Sequence, residues 1–247
     1  MNLIDLREIP NTNNLFYIES LDSTQDFLID LIKEHENLHF PIGIYSFNQT
    51  NGRGQRKKDW INQKNKGLAL SIGILLNDTV DVVNLNKSIT LLVNEFVSAK
   101  SEQKSWIKWP NDIILNDHKA VGLLMEIITD ANQNKVLVVG VGLNVLDPIS
   151  EMKKVTGILN TKSISTESLQ TLSKTLYNSI STVTIGDGVE ETYNLQLYKR
   201  NTTISLRSSE NNIFKGKLKE VDSAGRLVVE VNSEIKKYHF GQARIIL

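Results

Sequence analysis

The chain has 247 residues, of which 40% are hydrophobic and 23% charged, a composition typical of one large globular domain with room for a small appendage. There are 28 lysine and arginine residues and 28 aspartate and glutamate residues, so the formal net charge is zero. A neutral chain argues against a dedicated nucleic-acid or anionic-membrane surface. No cysteine is present, which excludes disulfides, cysteine-ligated metals and a cysteine acyl-enzyme. No run approaches the roughly 20 apolar residues of a membrane span, and a charged N-terminus argues against a signal peptide. We therefore expect a cytoplasmic protein.

Hydrophobic periodicity predicts alternating strands and helices up to about residue 200. Ser23 and Asp26 match a capping box at the start of the first helix. The predicted strands are 14–20, 41–47, 68–76, 113–116, 120–128 and 136–145, and the predicted helices are 24–38, 85–99, 166–182 and 187–199.

The strand at 68–76 alternates large and small residues. Its large residues predict a face that packs a core, and its small residues, Ala69, Ser71 and Gly73, predict a face with room for a flat ligand. Gly140 and Gly142 share one face of the strand at 136–145, so they also allow a close approach.

The pattern changes near residue 201. Short strand-like runs are separated by polar or glycine-containing turns, which is typical of a small β-barrel. We expect a catalytic domain over 1–200 and a barrel over 201–247.

Two segments carry candidate functional residues. The loop at 49–56 combines two glycines with Arg53 and Arg56, so it offers backbone N–H groups and guanidinium donors to an anion. A basic surface loop would look the same, since Lys57 and Lys58 follow. The segment at 106–126 gathers Lys108, Asn111, Asp112 and Lys119 around a short apolar strand, with two tryptophans alongside. Together the segments suggest a site for a phosphate and a carboxylate, as in enzymes that activate a carboxylic acid with a nucleotide.

The order of these motifs resembles that of the biotin protein ligases over roughly residues 20–146. The matching stretches are Ser23-Thr24, the loop from Gln49 to Gly54 with Trp60, the Lys108-Trp109-Pro110-Asn111-Asp112 run, Lys119-x-x-Gly122-x-x-x-Glu126, and Gly140-x-Gly142-x-Asn144. The resemblance implies an α+β fold, a mixed sheet flanked by helices, followed by an SH3-like β-barrel. It also implies ATP and Mg²⁺ as co-substrate and metal, biotin as substrate, and a biotin carboxyl carrier domain as partner.

The resemblance assigns roles to individual residues. Lys119 and Arg53 are the expected catalytic residues, and Asp112 is the expected Mg²⁺ ligand, in part through water. Biotin is expected to contact Ser23, Thr24, Gln49, Gly52, Arg53, Lys119 and Gly122. The nucleotide is expected to contact Arg53, Gly54, Gln55, Arg56, Trp60, Lys108, Asn111, Asp112 and Asn144.

Two departures from the family pattern concern side chains of the site. Gln25 stands where asparagine usually follows Ser-Thr, and Gln55 stands where an arginine often follows Gly-Arg-Gly. That arginine helps to hold the adenylate, so Arg56 is the expected substitute. Ser23 and Thr24 also come too early for a helix-turn-helix domain to precede them, so we expect no DNA partner.

Other functions remain open. A lipoate-type ligase shares the acyl-adenylate chemistry, and a non-catalytic biotin-binding or regulatory protein would share the cavity. Monomer and homodimer are equally compatible with the sequence.

Overall fold

The computed structural model describes residues 14–55, 59–61, 63–147 and 154–247. The helices in these segments are α1 (Thr24–Glu34), α2 (Val82–Ser101), α3 (Thr166–Ser181) and α4 (Val189–Leu195). The strands before α3 are β1 (Leu15–Tyr17), β2 (Ile42–Ser46), β3 (Gly52–Arg53), β4 (Asp59–Trp60), β5 (Gly67–Leu75), β6 (Trp106–Lys108), β7 (Asp112–Leu115), β8 (His118–Thr129) and β9 (Lys135–Asn144). The strands after α4 are β10 (Thr203–Ser208), β11 (Ile213–Val221), β12 (Leu227–Val231), β13 (Glu234–Tyr238) and β14 (Ala243–Ile245).

A seven-stranded sheet forms the centre of the molecule, in the order β1-β2-β5-β9-β8-β7-β6. β1 and β2 are parallel, and the remaining neighbours are antiparallel. The sheet is therefore mixed, as expected. The hairpin β3–β4 pairs separately, and it was not predicted because each strand has only two residues, too few to show a period.

The two faces of this sheet differ in side-chain size, as the alternation in β5 predicted. On one face Leu68, Leu70 and Ile72 join the large core beneath α2 and α3. On the other face Ala69 lies opposite Gly142, and Ser71 lies opposite Gly140. α1 packs on this second face and covers only part of it. Where α1 does not cover this face, the small residues Ala69, Ser71, Gly140 and Gly142 leave a hollow.

The helices begin where side chains cap them. The Ser23 hydroxyl accepts a hydrogen bond from the Asp26 N–H at 3.2 Å, which confirms the predicted start of α1. The prediction of a helix to residue 38 was wrong, since His35 is already extended and ends it. The helix predicted at 187–199 was also too long, because Leu197 instead forms a bridge with Ile107 of β6. No helix in the described segments is long and apolar enough to cross a bilayer.

A second, five-stranded antiparallel sheet follows, in the order β13-β12-β11-β10-β14, consistent with the expected SH3-like barrel. It packs directly against the first part of the chain. Lys87 of α2 donates to the Asp222 carbonyl at 3.0 Å, and the Trp109 indole donates to the Gly225 carbonyl at 3.0 Å. One hydrophobic cluster runs through both parts. A domain boundary near residue 200 stays a prediction.

Candidate active site

A cavity of about 450 Å³ opens over the small-residue face of the central sheet. Its walls come from the first turn of α1, strands β5, β8 and β9, the hairpin β3–β4, residues 108–112 and the second sheet. The volume falls within the range of small-molecule sites, which is about 300–1,000 Å³.

One end of the cavity is buried, polar and uncharged. The Gln49 side-chain oxygen accepts from the Thr24 backbone N–H at 2.8 Å and from its hydroxyl at 3.2 Å. The Ser71 hydroxyl lies 2.9 Å from the Thr24 hydroxyl and 3.1 Å from the Gln25 side-chain oxygen. None of these four residues is more than 7% exposed. Neutral donors and acceptors fixed in this way suit a neutral polar group of a ligand.

A second region of the wall is cationic. The Asp112 carboxylate lies between two ammonium groups, with Lys119 at 2.6 Å from one oxygen and Lys108 at 3.0 Å from the other. Burial alone would raise the pKa of Asp112, but the two lysines outweigh it and hold the pKa below its usual value. Asn111 donates its side-chain N–H to the Leu123 carbonyl, which ties this segment to β8. Asp112, Lys108 and Lys119 together carry a net positive charge, which suits binding of an anion.

The hairpin β3–β4 is tied to the sheet by Arg53. Its guanidinium donates to both Glu126 oxygens, at 3.0 and 2.7 Å, and lies 2.8 Å from Asp26. The hydrogen bonds to Glu126 are the main cause of the raised pKa of Arg53. Gln25 also donates to Glu126, at 3.0 Å, so the hairpin is linked to the uncharged end of the cavity.

Trp60 forms the floor of the cavity between these two ends. Its indole lies on Gly142, where a Cβ atom would clash with the ring. The Lys119 ammonium lies 5.3 Å from the ring centroid, within cation–π distance. A Cβ at Gly140 would lie 2.6 Å from the Gln25 oxygen. Both glycines are therefore needed for the close approach that the sequence pattern indicated.

Most of the predicted site residues meet in this one cavity. Those in its wall are Thr24, Gln49, Arg53, Gly54, Gln55, Trp60, Lys108, Asn111, Asp112, Lys119 and Gly122. Arg56 lies outside the described residues.

Three predicted contact residues are not part of the wall. Ser23 caps α1, and Gly52 lies buried beneath the Gln49 side chain. Asn144 donates its amide N–H to the Ala120 carbonyl at 3.2 Å, across to β8. In this structure the three residues support the site rather than line it, so their contacts with a ligand stay predictions.

Several wall residues were not predicted as site residues. Gln25 was noted only as a departure from a family pattern, and Ser71 only as one of the small residues of β5. The position of Ser71 on the small-residue face of β5 could have identified that residue, and the position of Gln25 directly after Ser23-Thr24 in the first turn of α1 could have identified the other. Arg207 and Arg244 of the second sheet also line the cavity. No local pattern connects those two arginines to the rest, because only the packing of the two sheets brings them there.

Comparison with known proteins agrees with this geometry. The model of the biotin/lipoate A/B protein ligase family matches residues 17–144, about half of the chain. The bifunctional ligase/repressor BirA of Bacillus spizizenii is 32% identical over 140 residues, which is 53% of this chain and 40% of the relative. The biotin–protein ligase 2 of Arabidopsis thaliana is 31% identical over 139 residues, with the same two shares. The chain thus spans about two fifths of the length of these curated relatives.

Solved structures share the fold over nearly the whole chain. A biotin protein ligase from Aquifex aeolicus in complex with biotin and ATP superposes with a TM-score of 0.73 and 22% identity, covering 94% of this chain and 98% of its own. A biotin acetyl coenzyme A carboxylase synthetase from Helicobacter pylori gives a TM-score of 0.65 and 21% identity, covering 90% and 98%. The sequence match, the fold and the converging motif residues lead to one conclusion: the chain belongs to the biotin/lipoate A/B protein ligase family.

Proposed function

We propose that this protein activates biotin with ATP to give biotinyl-5'-AMP, and then transfers the biotinyl group to a lysine of a biotin carboxyl carrier domain. The names of the curated relatives and the biotin and ATP complex of the Aquifex neighbour support this substrate pair.

The observation that carries the proposal is the two-part character of the cavity. Biotin has a neutral ureido ring at one end and a carboxylate at the other. The uncharged cluster around Thr24 and Gln49 suits the ring, and Lys119 in the cationic region suits the carboxylate and the phosphate it attacks. The apolar part of biotin would lie against Trp60, which forms the floor between the two ends of the cavity.

The chemistry needs alignment and charge neutralisation rather than an enzyme nucleophile. A biotin carboxylate oxygen bonds to the α-phosphorus of ATP, and the bond from that phosphorus to the bridging oxygen breaks, so that pyrophosphate leaves. A carrier lysine amine then attacks the acyl carbon, the C–O bond of the anhydride breaks so that AMP leaves, and the amine nitrogen gives up a proton to solvent. Lys119 would neutralise the negative charge that grows at the α-phosphate. One such interaction typically changes the rate by about 10²–10³-fold.

The expected magnesium ion has no protein-made site among the described residues. Both Asp112 oxygens are taken by lysine ammonium groups, and no three His, Cys, Asp or Glu side chains in the described segments cluster as metal ligands. The described residues therefore do not fit a resident ion, and we assign no protein step to it. Mg²⁺ would enter as part of the nucleotide substrate, and a contact with Asp112 stays a prediction.

The test is incubation of the full chain with biotin, α-labelled ATP and Mg²⁺, followed by chromatography for biotinyl-AMP. Addition of an apo carrier domain should then consume the adenylate and label one lysine. Lipoate in place of biotin is the matched control, because the family includes lipoate ligases. Formation of lipoyl-AMP but not biotinyl-AMP would show that the chain is a lipoate-type ligase. Binding of biotin without formation of any adenylate would show that it is a non-catalytic biotin-binding protein.

A further inference from the structure

Two arginines of the second sheet line the cavity together with the predicted motif residues. Arg207 on β10 and Arg244 on β14 are direct partners in an antiparallel pair. Direct partners project from the same face of a sheet with their Cβ atoms about 5 Å apart. Both side chains belong to the wall that also contains Lys119.

This pair is unfavourable unless an anion joins it. Like charges placed directly opposite each other in a sheet are destabilising. Two other cations in this part of the chain are paired with carboxylates: Lys219 lies 2.9 Å from Glu230, and Arg226 lies 2.8 Å from Asp222. Within the described segments, Arg207 and Arg244 have no such carboxylate. The Arg207 Nε atom is also buried with no hydrogen-bond partner there. Such a group normally finds a partner, which indicates that a ligand completes the site.

We propose that Arg207 and Arg244 form a subsite for the two terminal phosphates of ATP, and so hold the pyrophosphate leaving group. This inference rests on the proposed function. The planar guanidinium binds phosphate oxygens in pairs, so two adjacent guanidinium groups match two linked phosphates. Negative charge moves onto this leaving group when the carboxylate attacks, and the two arginines would neutralise it. Lys119 in the same cavity would neutralise the charge at the α-phosphate. The second sheet thereby contributes directly to the active cavity.

Calorimetric titration of the full chain with inorganic pyrophosphate tests the subsite directly. Arg207→Gln and Arg244→Gln keep most of the side chain and remove the charge. Each should weaken pyrophosphate binding about tenfold or more, because a charge-assisted bidentate contact is lost. The affinities for biotin and AMP should not change. Lys236→Gln is the matched control, since Lys236 is an exposed cation on β13, at the far edge of the same sheet. It should leave all three affinities unchanged.

A stability measurement and a charge-preserving variant guard against misfolding. The melting temperature should not fall in either glutamine variant, because removing one charge relieves the repulsion. Arg207→Lys and Arg244→Lys retain the charge without the planar fork and should bind pyrophosphate with intermediate affinity. Folded glutamine variants that bind pyrophosphate as the parent does would overturn the proposal.

Kinetics separate this inference from the proposed function. The variants should raise the KM for ATP in adenylate formation, while transfer from preformed biotinyl-AMP to the carrier stays normal. Slow transfer with unchanged pyrophosphate affinity would place the arginines on the carrier interface and overturn the subsite. A different outcome is that the parent protein forms no adenylate while the glutamine variants bind pyrophosphate more weakly than the parent does. In that case the proposed function fails and the anion subsite stands.

Discussion

Asp112 and its two lysines show how one residue can organise the cationic region of the cavity. Its side chain is only 16% exposed, and each of its oxygens pairs with a different ammonium group. The lowered pKa means that the carboxylate stays ionised near neutral pH. It can therefore orient Lys119 towards the cavity while Lys108 offsets its charge.

Replacement of Lys119 by alanine should reduce adenylate formation by about 10²–10³-fold, the usual effect of losing one well-placed transition-state contact. The affinity for biotin should fall far less than the rate and stay largely intact, because the uncharged cluster still binds the ring when the contact between Lys119 and the carboxylate is lost. Titration with biotin and single-turnover formation of biotinyl-AMP measure the two effects. Lys135→Ala, which removes a lysine that is 61% exposed and outside the cavity, is the control. Normal turnover in Lys119→Ala would remove this lysine from the catalytic residues.

The packing of the Trp60 floor on Gly142 makes a second prediction. In Gly142→Ala the new methyl group would overlap the Trp60 indole, so the ring must leave its place. Biotin affinity should fall about tenfold or more, given that a core side chain forced aside typically costs about 1–3 kcal/mol. Tryptophan fluorescence should shift as the ring moves. Gly186→Ala is the matched substitution, because a Cβ there meets nothing within 4 Å. Equal biotin affinity in both variants would contradict the assignment of Trp60 to the floor.

The hairpin β3–β4 is held on the sheet by the Trp60 indole, which lies on Gly142, and by an ion pair. The ion pair joins Arg53 and Glu126, and both side chains are about one-third exposed. A partly exposed pair of this kind contributes about 1 kcal/mol. Opening of the hairpin should therefore be frequent without ligand and rarer when ligand covers the cavity.

Arg53→Gln should raise the rate of proteolysis between residues 49 and 61 by about fivefold in the absence of ligand, since RT is about 0.6 kcal/mol and the pair contributes about 1 kcal/mol. Glu126→Gln should have a similar effect, and the double variant should add little to either single one. Additive effects would show that Arg53 does not act through Glu126. Equal cleavage with and without biotin plus ATP would also count against ordering by ligand.

Buried contacts join the two sheets, so we expect them to unfold together. Asn194 of α4 donates to the Val221 carbonyl at 3.0 Å and accepts from the Val221 N–H at 2.7 Å. Asn194→Ala leaves both backbone groups unpaired, and should lower the free energy of unfolding by about 2 kcal/mol. Urea unfolding followed by tryptophan fluorescence and by circular dichroism should show one shared transition. Asn212→Ala, at an exposed turn, should be nearly neutral. Two separate transitions in the parent would mean that the second sheet unfolds on its own.

Acid should weaken the turn that docks the second sheet. Burial raises the pKa of Asp222, but hydrogen bonds and charge from Arg226 lower it to about 2 from an ordinary 3.8. The unfolded chain thus binds this proton more readily, so the contribution of Asp222 is present above pH 4 and is lost as the pH falls towards 2. Asp222→Asn should flatten the fall in stability over that range. Asp187→Asn, at an exposed loop, should keep the parent profile, and a slope unchanged in Asp222→Asn would contradict the assignment.

Local patterns predicted the four helices and six of the seven strands of the central sheet, but neither β6 nor the hairpin β3–β4. Period-two alternation in β5 distinguished the core face from the ligand face, because side-chain direction alternates strictly along a strand. The loop around Arg53 and the run from Lys108 to Asp112 each contain several site residues within a few positions, so these residues could be recognised from the sequence. Helix ends were less predictable, since a cap such as His35 depends on packing beyond the local sequence.

Long-range packing determined the rest. Gln25, Ser71 and Glu126 joined the site or its supports only when α1, β5 and β8 came together. Arg207 and Arg244 entered the cavity wall because the second sheet docks beside the first. The sequence by itself therefore determined the family and most of the chemistry, since both lie in short contiguous motifs. Only the tertiary structure decided which side chains meet, because contacts between residues a hundred positions apart leave no local periodicity.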